Sequence, residues 1–139
     1  MKLNEVEYKV DGKPYVGFLA DGSNGRKVPG ILVAHEGGGM TGHPKERAKM
    51  LAELGYVAFA MDIFGEKITN REQAISIIMS LMGDLPTLRK RARTALDILK
   101  AQPSVDAKRT AAIGFCFGGT TVLELARSGA DIGCVVGFH

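Results

Sequence analysis

Four apolar runs constrain the fold more than anything else in the chain: Ile31-Leu32-Val33-Ala34, Tyr56 to Ile63, Thr110 to Gly114, and Ile132 to Phe138. A strand with one wet face alternates polar and apolar residues. An uninterrupted apolar run belongs to a strand covered on both faces, as in a mostly parallel sheet with helices on either side. The segments between these runs carry helical punctuation. Pro44–Leu54 has proline at its first position and Gly55 just past its end. Arg71–Met82, Leu85–Ala101 and Phe117–Arg127 complete the set of predicted helices. Ahead of them, Glu5–Lys9 and Tyr15–Ala20 read as two short strands joined through Asp11-Gly12-Lys13-Pro14, which is strong hairpin-turn chemistry. The expectation is an α/β protein with an N-terminal β-hairpin leading into a mostly parallel sheet.

The 139 residues suit one domain, and 45% hydrophobic content gives it a core without disulfides or metal. No stretch approaches the roughly 18 apolar residues that a membrane helix needs. Met1 to Val10 alternates polar and apolar residues and lacks the apolar segment of a signal peptide, so a cytoplasmic location is expected. Two cysteines in such a chain argue against a structural bridge. A net charge of +3 is modest. Its one basic cluster, Arg89, Lys90, Arg91 and Arg93, alternates with apolar residues at helical spacing, so a solvated helix face is expected rather than a nucleic-acid footprint.

Gly114-Phe115-Cys116-Phe117-Gly118-Gly119 falls between a buried strand and a helix. That is the strand–turn–helix setting of a nucleophile elbow, with cysteine where serine is commoner. A nucleophile at the tip of such a turn needs small neighbours two positions away, which Gly114 and Gly118 supply, and Gly119 lets the helix approach the strand. The turn also puts Cys116 at a helix N-terminus, whose partial positive charge favours thiolate. Cys134 lies inside an apolar strand with no such elbow and is expected to be a buried, inert thiol.

His35-Glu36-Gly37-Gly38-Gly39 directly follows the first apolar run. In a parallel sheet this loop and the elbow both open at the carboxyl edge, where active sites form. Its backbone N–H groups, Gly37 foremost, can join the N–H of Phe117 in binding a developing oxyanion. Glu36 beside a thiol could take its proton or hold it inactive. His35 reads either as a hydrogen-bonded structural residue or as a substrate contact.

The elbow, the His35-Glu36-Gly37 loop and Asp62 at a strand end together resemble the dienelactone hydrolase family of α/β-hydrolases, over essentially the whole chain in order. The resemblance implies hydrolysis of a small-molecule ester or lactone through attack by Cys116 and an acyl-enzyme, with no cofactor. It implies that Glu36 meets the resting thiol and that the N–H groups of Gly37 and Phe117 bind the oxyanion. Arg71 is its candidate for an anionic substrate group.

The family's acid and histidine follow the nucleophile. The 23 residues after Cys116 offer Glu124, Asp131 and His139. Glu124 falls in the elbow helix and Asp131 precedes a strand, at the wrong end of the sheet. His139 ends a strand at the catalytic edge, a candidate substrate contact rather than the family's base. The expectation is therefore an incomplete α/β-hydrolase domain over residues 1–139, truncated after its sixth strand. Such a chain is expected either to be a fragment of a longer product or to associate with itself through the strand Ile132–Phe138, and its turnover would be weak or absent. Two other readings compete. Gly37, Gly39 and Gly42, with Asp62 at the end of the next strand, fit a dinucleotide-binding fingerprint. Without its base, the chain could also be a non-catalytic remnant of the fold. His35, His43 and Glu36 have no recognised metal-ligand spacing, and neither nucleic acid nor membrane is expected as a partner.

Overall fold

A computed structural model describes residues 1–138. Its elements run β1 (Lys2–Val10), β2 (Lys13–Asp21), β3 (Val28–Ala34), α1 (Gly42–Glu53), β4 (Val57–Met61), α2 (Arg71–Met82), α3 (Leu85–Lys100), β5 (Val105–Phe115), α4 (Phe117–Arg127) and β6 (Cys134–Phe138). They form one sheet in the order β1-β2-β4-β3-β5-β6. β1, β2 and β4 pair antiparallel, while β4, β3, β5 and β6 are mutually parallel. This is the expected α/β-hydrolase arrangement: a hairpin leads into a parallel sheet.

The hairpin closes where its turn residues demand. Val10 pairs with Lys13, and the two residues between them, Asp11 and Gly12, have φ of 51° and 80°. That is the two-residue turn whose twist matches the strands it joins.

The apolar runs have the cause their composition suggested. Val57, Phe59 and Met61 of β4 and Leu32 and Ala34 of β3 join the core formed with α3 and α4. The alternate residues Val33, Ala58 and Ala60 face the opposite way, against Ala48 and Ala52 of α1. Small residues on both sides of that second contact let α1 lie close to the sheet. On the first face, Leu88, Ala92, Ala95, Leu96 and Leu99 of α3 recur at helical spacing and are all buried. Each leucine so buried contributes about 1.5–3 kcal/mol.

Two expectations need correction. Cys134 is exposed. β6 pairs only with β5 among the described residues, and alternation turns Val135 toward α4 and Cys134, Val136 and Phe138 to the uncovered face. Nor is the basic cluster on α3 merely a solvated face. Arg89 pairs with Glu124, Arg93 Nη1 donates to the Ser128 carbonyl at 2.9 Å, and Lys90 pairs with Asp11. These long cations fasten α3 to α4 and to the hairpin, a role that their helical spacing alone does not reveal.

Candidate active site

The sheet delivers β5 to a sharp turn at Cys116. Its backbone sits at φ 55° and ψ −116°, a conformation that glycine adopts freely and a side chain rarely does. Such strain persists only where the surroundings hold it. Here the Cys116 N–H donates to the Phe138 carbonyl at 2.6 Å, and the Gly119 N–H donates to the Cys116 carbonyl at 2.9 Å. A Cβ on Gly114 would stand 2.0 Å from the Gly118 carbonyl oxygen, and one on Gly118 would stand 2.1 Å from the Ala34 carbonyl oxygen. The first turn of α4 therefore rests directly on the end of β3. Gly119 meets Gly137 of β6, where a Cβ would reach its Cα at 3.5 Å. Cys116 itself is exposed at the tip, and Phe117 occupies the first helical position, where its N–H has no intrahelical acceptor.

The loop after β3 begins with His35, which is 0% exposed. Its Nδ1–H donates to the Glu36 carbonyl at 2.7 Å, and its Nε2 accepts the Ile63 N–H at 2.9 Å. Burial holds the imidazole below its ordinary pKa, against the raising influence of the Glu36 carbonyl and Asp62. With both nitrogens spent and no surface, this neutral ring ties the loop to the end of β4, which leaves it no contact for a substrate. The Glu36 carbonyl also accepts the Gly39 N–H at 3.2 Å, so the segment Glu36–Gly39 forms a closed turn. Gly37 lies in that turn, under Ile78 of α2. The elbow and the Gly37 turn thus share the carboxyl edge of adjacent strands β3 and β5.

The Glu36 side chain does not hydrogen-bond the thiol. Its Oε1 stands 3.1 Å from His43 Nδ1 on α1. Arg71, the first residue of α2, is exposed. It lies seven residues before Ile78, about 10 Å along the helix at 1.5 Å per residue, and makes no recorded contact with the elbow. His139 lies outside the described residues. A cleft of about 680 Å³ opens beside Gly38, Met40 and Lys45 toward Val16 and Ile68, next to the loop but not over Cys116.

Asp62 is 8% exposed, with its carboxylate committed to the backbone. Oδ1 accepts the Phe64 and Gly65 N–H groups at 3.2 and 2.9 Å, and Oδ2 accepts that of Val16 at 3.3 Å. Those bonds use up the acid that a dinucleotide fingerprint would present to a ribose. Glu124 is likewise structural. It is buried in α4 between Arg127 and Arg89, whose guanidinium groups hold its carboxyl below the usual range. Asp131 has a 99% exposed side chain. Among the described residues no cluster of three metal-ligating side chains occurs, and no helix is long and apolar enough to cross a membrane.

Sequence reasoning missed Arg91. Its Nη1 donates to the Ile63 carbonyl at 2.8 Å, and its guanidinium stacks 5.3 Å from the Tyr15 ring centroid. The backbone of Ile63 is thus held on both sides, its N–H by His35 and its carbonyl by Arg91 of α3.

Comparison with known proteins agrees with this geometry. A sequence model described as "Dienelactone hydrolase family" matches residues 16–139. A Bradyrhizobium protein named "Probable 2-oxo-3-(5-oxofuran-2-ylidene)propanoate lactonase" is 30% identical over 141 residues, a match covering 99% of this chain and 56% of that protein. A solved structure named m3DLH is 50% identical with a TM-score of 0.94, over 99% of this chain and 59% of its own. A dienelactone hydrolase-like promiscuous phosphotriesterase from metagenomic libraries is 41% identical with a TM-score of 0.95, over the same shares of the two chains, 99% and 59%. The chain thus spans rather less than two thirds of the length of each.

Proposed function

The chain belongs to the dienelactone hydrolase family, and from that premise we propose that it is the nucleophile-bearing part of a hydrolase that opens ester or lactone carbonyls through Cys116. The observation that carries this reading is the strained, exposed Cys116 at the N-terminus of α4, held there by two glycines with no room for a side chain. The Cys116 thiolate attacks the carbonyl carbon. The N–H groups of Gly37 and Phe117 receive the oxyanion, a contribution worth about 3–4 kcal/mol for each well-placed donor. Collapse expels the alcohol, or opens the lactone, and leaves a thioester on Cys116. Water then releases the acid and restores the thiol.

Activating that water is the task of a histidine placed after the nucleophile in the family's order. The test therefore reads the acylation step, which Cys116 and the two backbone donors carry out themselves. Incubation with a panel of activated esters and lactones, followed by peptide mass mapping, should find the acyl mass on the Cys116 peptide. It should be absent from Cys134, which is also exposed, and lost in Cys116→Ala. An adduct that survives Cys116→Ala, or no adduct from any panel member, overturns the reading. The likeness to a promiscuous phosphotriesterase argues for adding an organophosphate triester to the panel, since attack at phosphorus uses the same thiolate and oxyanion donors.

A further inference from the structure

We infer that the hollow between the start of β2, α2 and α3 binds a small oxyanion of the phosphomonoester type, with Lys13 and Arg91 as its cations and Ser76 and Ser80 as its hydroxyl donors. These four residues line a volume of about 270 Å³, over buried Phe64 and Leu81, with Glu66 at the rim. At roughly 30 Å³ for each water of the liquid, that is room for a phosphate group and a few further atoms. Ser76 and Ser80 are four residues apart and share one face of α2. It is a different flank from that of Ile78, which lies against Gly37.

The fold brings the two cations together. Lys13 Nζ stands 5.6 Å from the Tyr15 ring centroid, and Arg91 Cζ stands 5.3 Å from the same centroid. Both are anchored on successive residues of one loop. Arg91 Nη1 donates to the Ile63 carbonyl at 2.8 Å, and Lys13 Nζ donates to the Phe64 carbonyl at 3.1 Å. The lysine stem is fixed as well, since a Cβ on Gly65 would stand 2.8 Å from Lys13 Cε. Charges held in place before a ligand arrives lower the ordering cost of binding it.

Their charge is not matched within the chain. Glu66 Oε2 lies 3.7 Å from Lys13 Nζ, beyond hydrogen-bond length, while its Oε1 accepts from Gln73 Nε2 at 3.0 Å. Among the described residues Arg91 pairs with no carboxylate. The other acids near Tyr15 are engaged elsewhere: Asp62 accepts three backbone N–H groups, and Asp11 meets Lys90. Two like charges beside one ring repel, and an anion placed between them replaces that repulsion with attraction. The guanidinium and the ammonium offer charge-assisted bonds, and the serine hydroxyls can donate to further oxygens. A doubly charged tetrahedral oxyanion uses the whole set, which a carboxylate with two oxygens does not.

The test titrates sodium phosphate into the 139-residue chain at neutral pH, with chloride keeping the ionic strength constant, and follows backbone amide NMR shifts. Saturable shifts are expected at Gly65, Ser76, Ser80 and Arg91. Lys13→Met, and Ser80→Asp, which sets a carboxylate in the anion's place, should each weaken phosphate binding about tenfold. Glu66→Gln removes the competing carboxylate and should tighten binding about threefold. Lys108→Met is an equal loss of charge at an exposed site on β5 and should stay within about twofold of the parent. Glycerol phosphate should shift the same amides, and glycerol should not. Should Lys13→Met lose the hairpin by circular dichroism, Ser80→Asp on the exposed side of α2 carries the test. Shifts that do not saturate, that Lys108→Met weakens as much as Lys13→Met, or that survive Ser80→Asp overturn the inference. So does glycerol phosphate that leaves these amides unmoved. No readout here involves Cys116, so the proposed function stands or falls separately.

Discussion

Replacing His35 by leucine removes two hydrogen bonds in the interior, and their consequences are unequal. The Ile63 N–H loses its acceptor at 2.9 Å in a place with no solvent, which costs about 1–3 kcal/mol for an orphaned buried donor. The Glu36 carbonyl loses the Nδ1–H but keeps the Gly39 N–H, so only the net worth of one bond disappears, about 1 kcal/mol. Leucine fills most of the volume but gives up the edge-on contact with Phe64 at 4.8 Å. The sum is about 2–4 kcal/mol, a large part of the roughly 5–15 kcal/mol that a domain possesses. In a chain of this size it corresponds to a fall in Tm of about 6–12 °C. Urea denaturation of the parent, His35→Leu and His35→Gln checks it. Gln can offer its amide oxygen to the Ile63 N–H and should recover about half the loss. Acylation of Cys116 should slow in His35→Leu because the Gly37 turn loses its tie to β4. A loss below about 1 kcal/mol in His35→Leu, or a Gln variant no better than Leu, would refute the assignment of His35 as the brace of this loop.

Three further outcomes follow from the same geometry. Burial depresses the pKa of His35 below 6.5 in the folded chain. The unfolded chain therefore binds the proton first. Stability should be full above that pH and fall as pH drops from it through the folded value, by at most about 1.4 kcal/mol per pH unit; a parent whose excess acid sensitivity over His35→Leu is nil in this window would contradict this. Cys116→Gly relieves a backbone held at φ 55°, worth about 1–3 kcal/mol, against about 0.5–1 kcal/mol for the looser unfolded chain. It should raise stability by about 1 kcal/mol while abolishing acylation, and a destabilised variant would show that the turn is not strained. Val136 and Phe138 on β6 are 44% and 49% exposed, so sedimentation of the 139-residue chain should show concentration-dependent association that Val136→Lys suppresses.

The readings that survived from sequence to structure were those set by short stretches of backbone. Asp11-Gly12 closes a hairpin because both residues tolerate positive φ. Gly55, at φ 99°, ends α1 just past its C-cap Leu54, although the helix starts at Gly42, two residues before the predicted Pro44, and α2 and α4 begin and end where their patterns predicted. Gly114, Cys116 and Gly118 mark the elbow since no side chain fits at either glycine. Continuous apolar runs revealed strands covered on both faces, because residue alternation along β4 serves two different cores.

What the sequence by itself determined, then, was the α/β architecture, the elbow and the glycine turn opposite it, since sterics and periodicity act within a few residues. The tertiary structure alone decided which polar group each side chain would meet. His35 finds Ile63 28 residues away, Arg89 finds Glu124 at a separation of 35, and Asp62 finds Val16 at 46. It turned Glu36 toward His43 and left Cys134 uncovered. Such partners are fixed by where strands and helices come to lie across the sheet. A residue's type says what it can bond to, but not what the fold will bring to it.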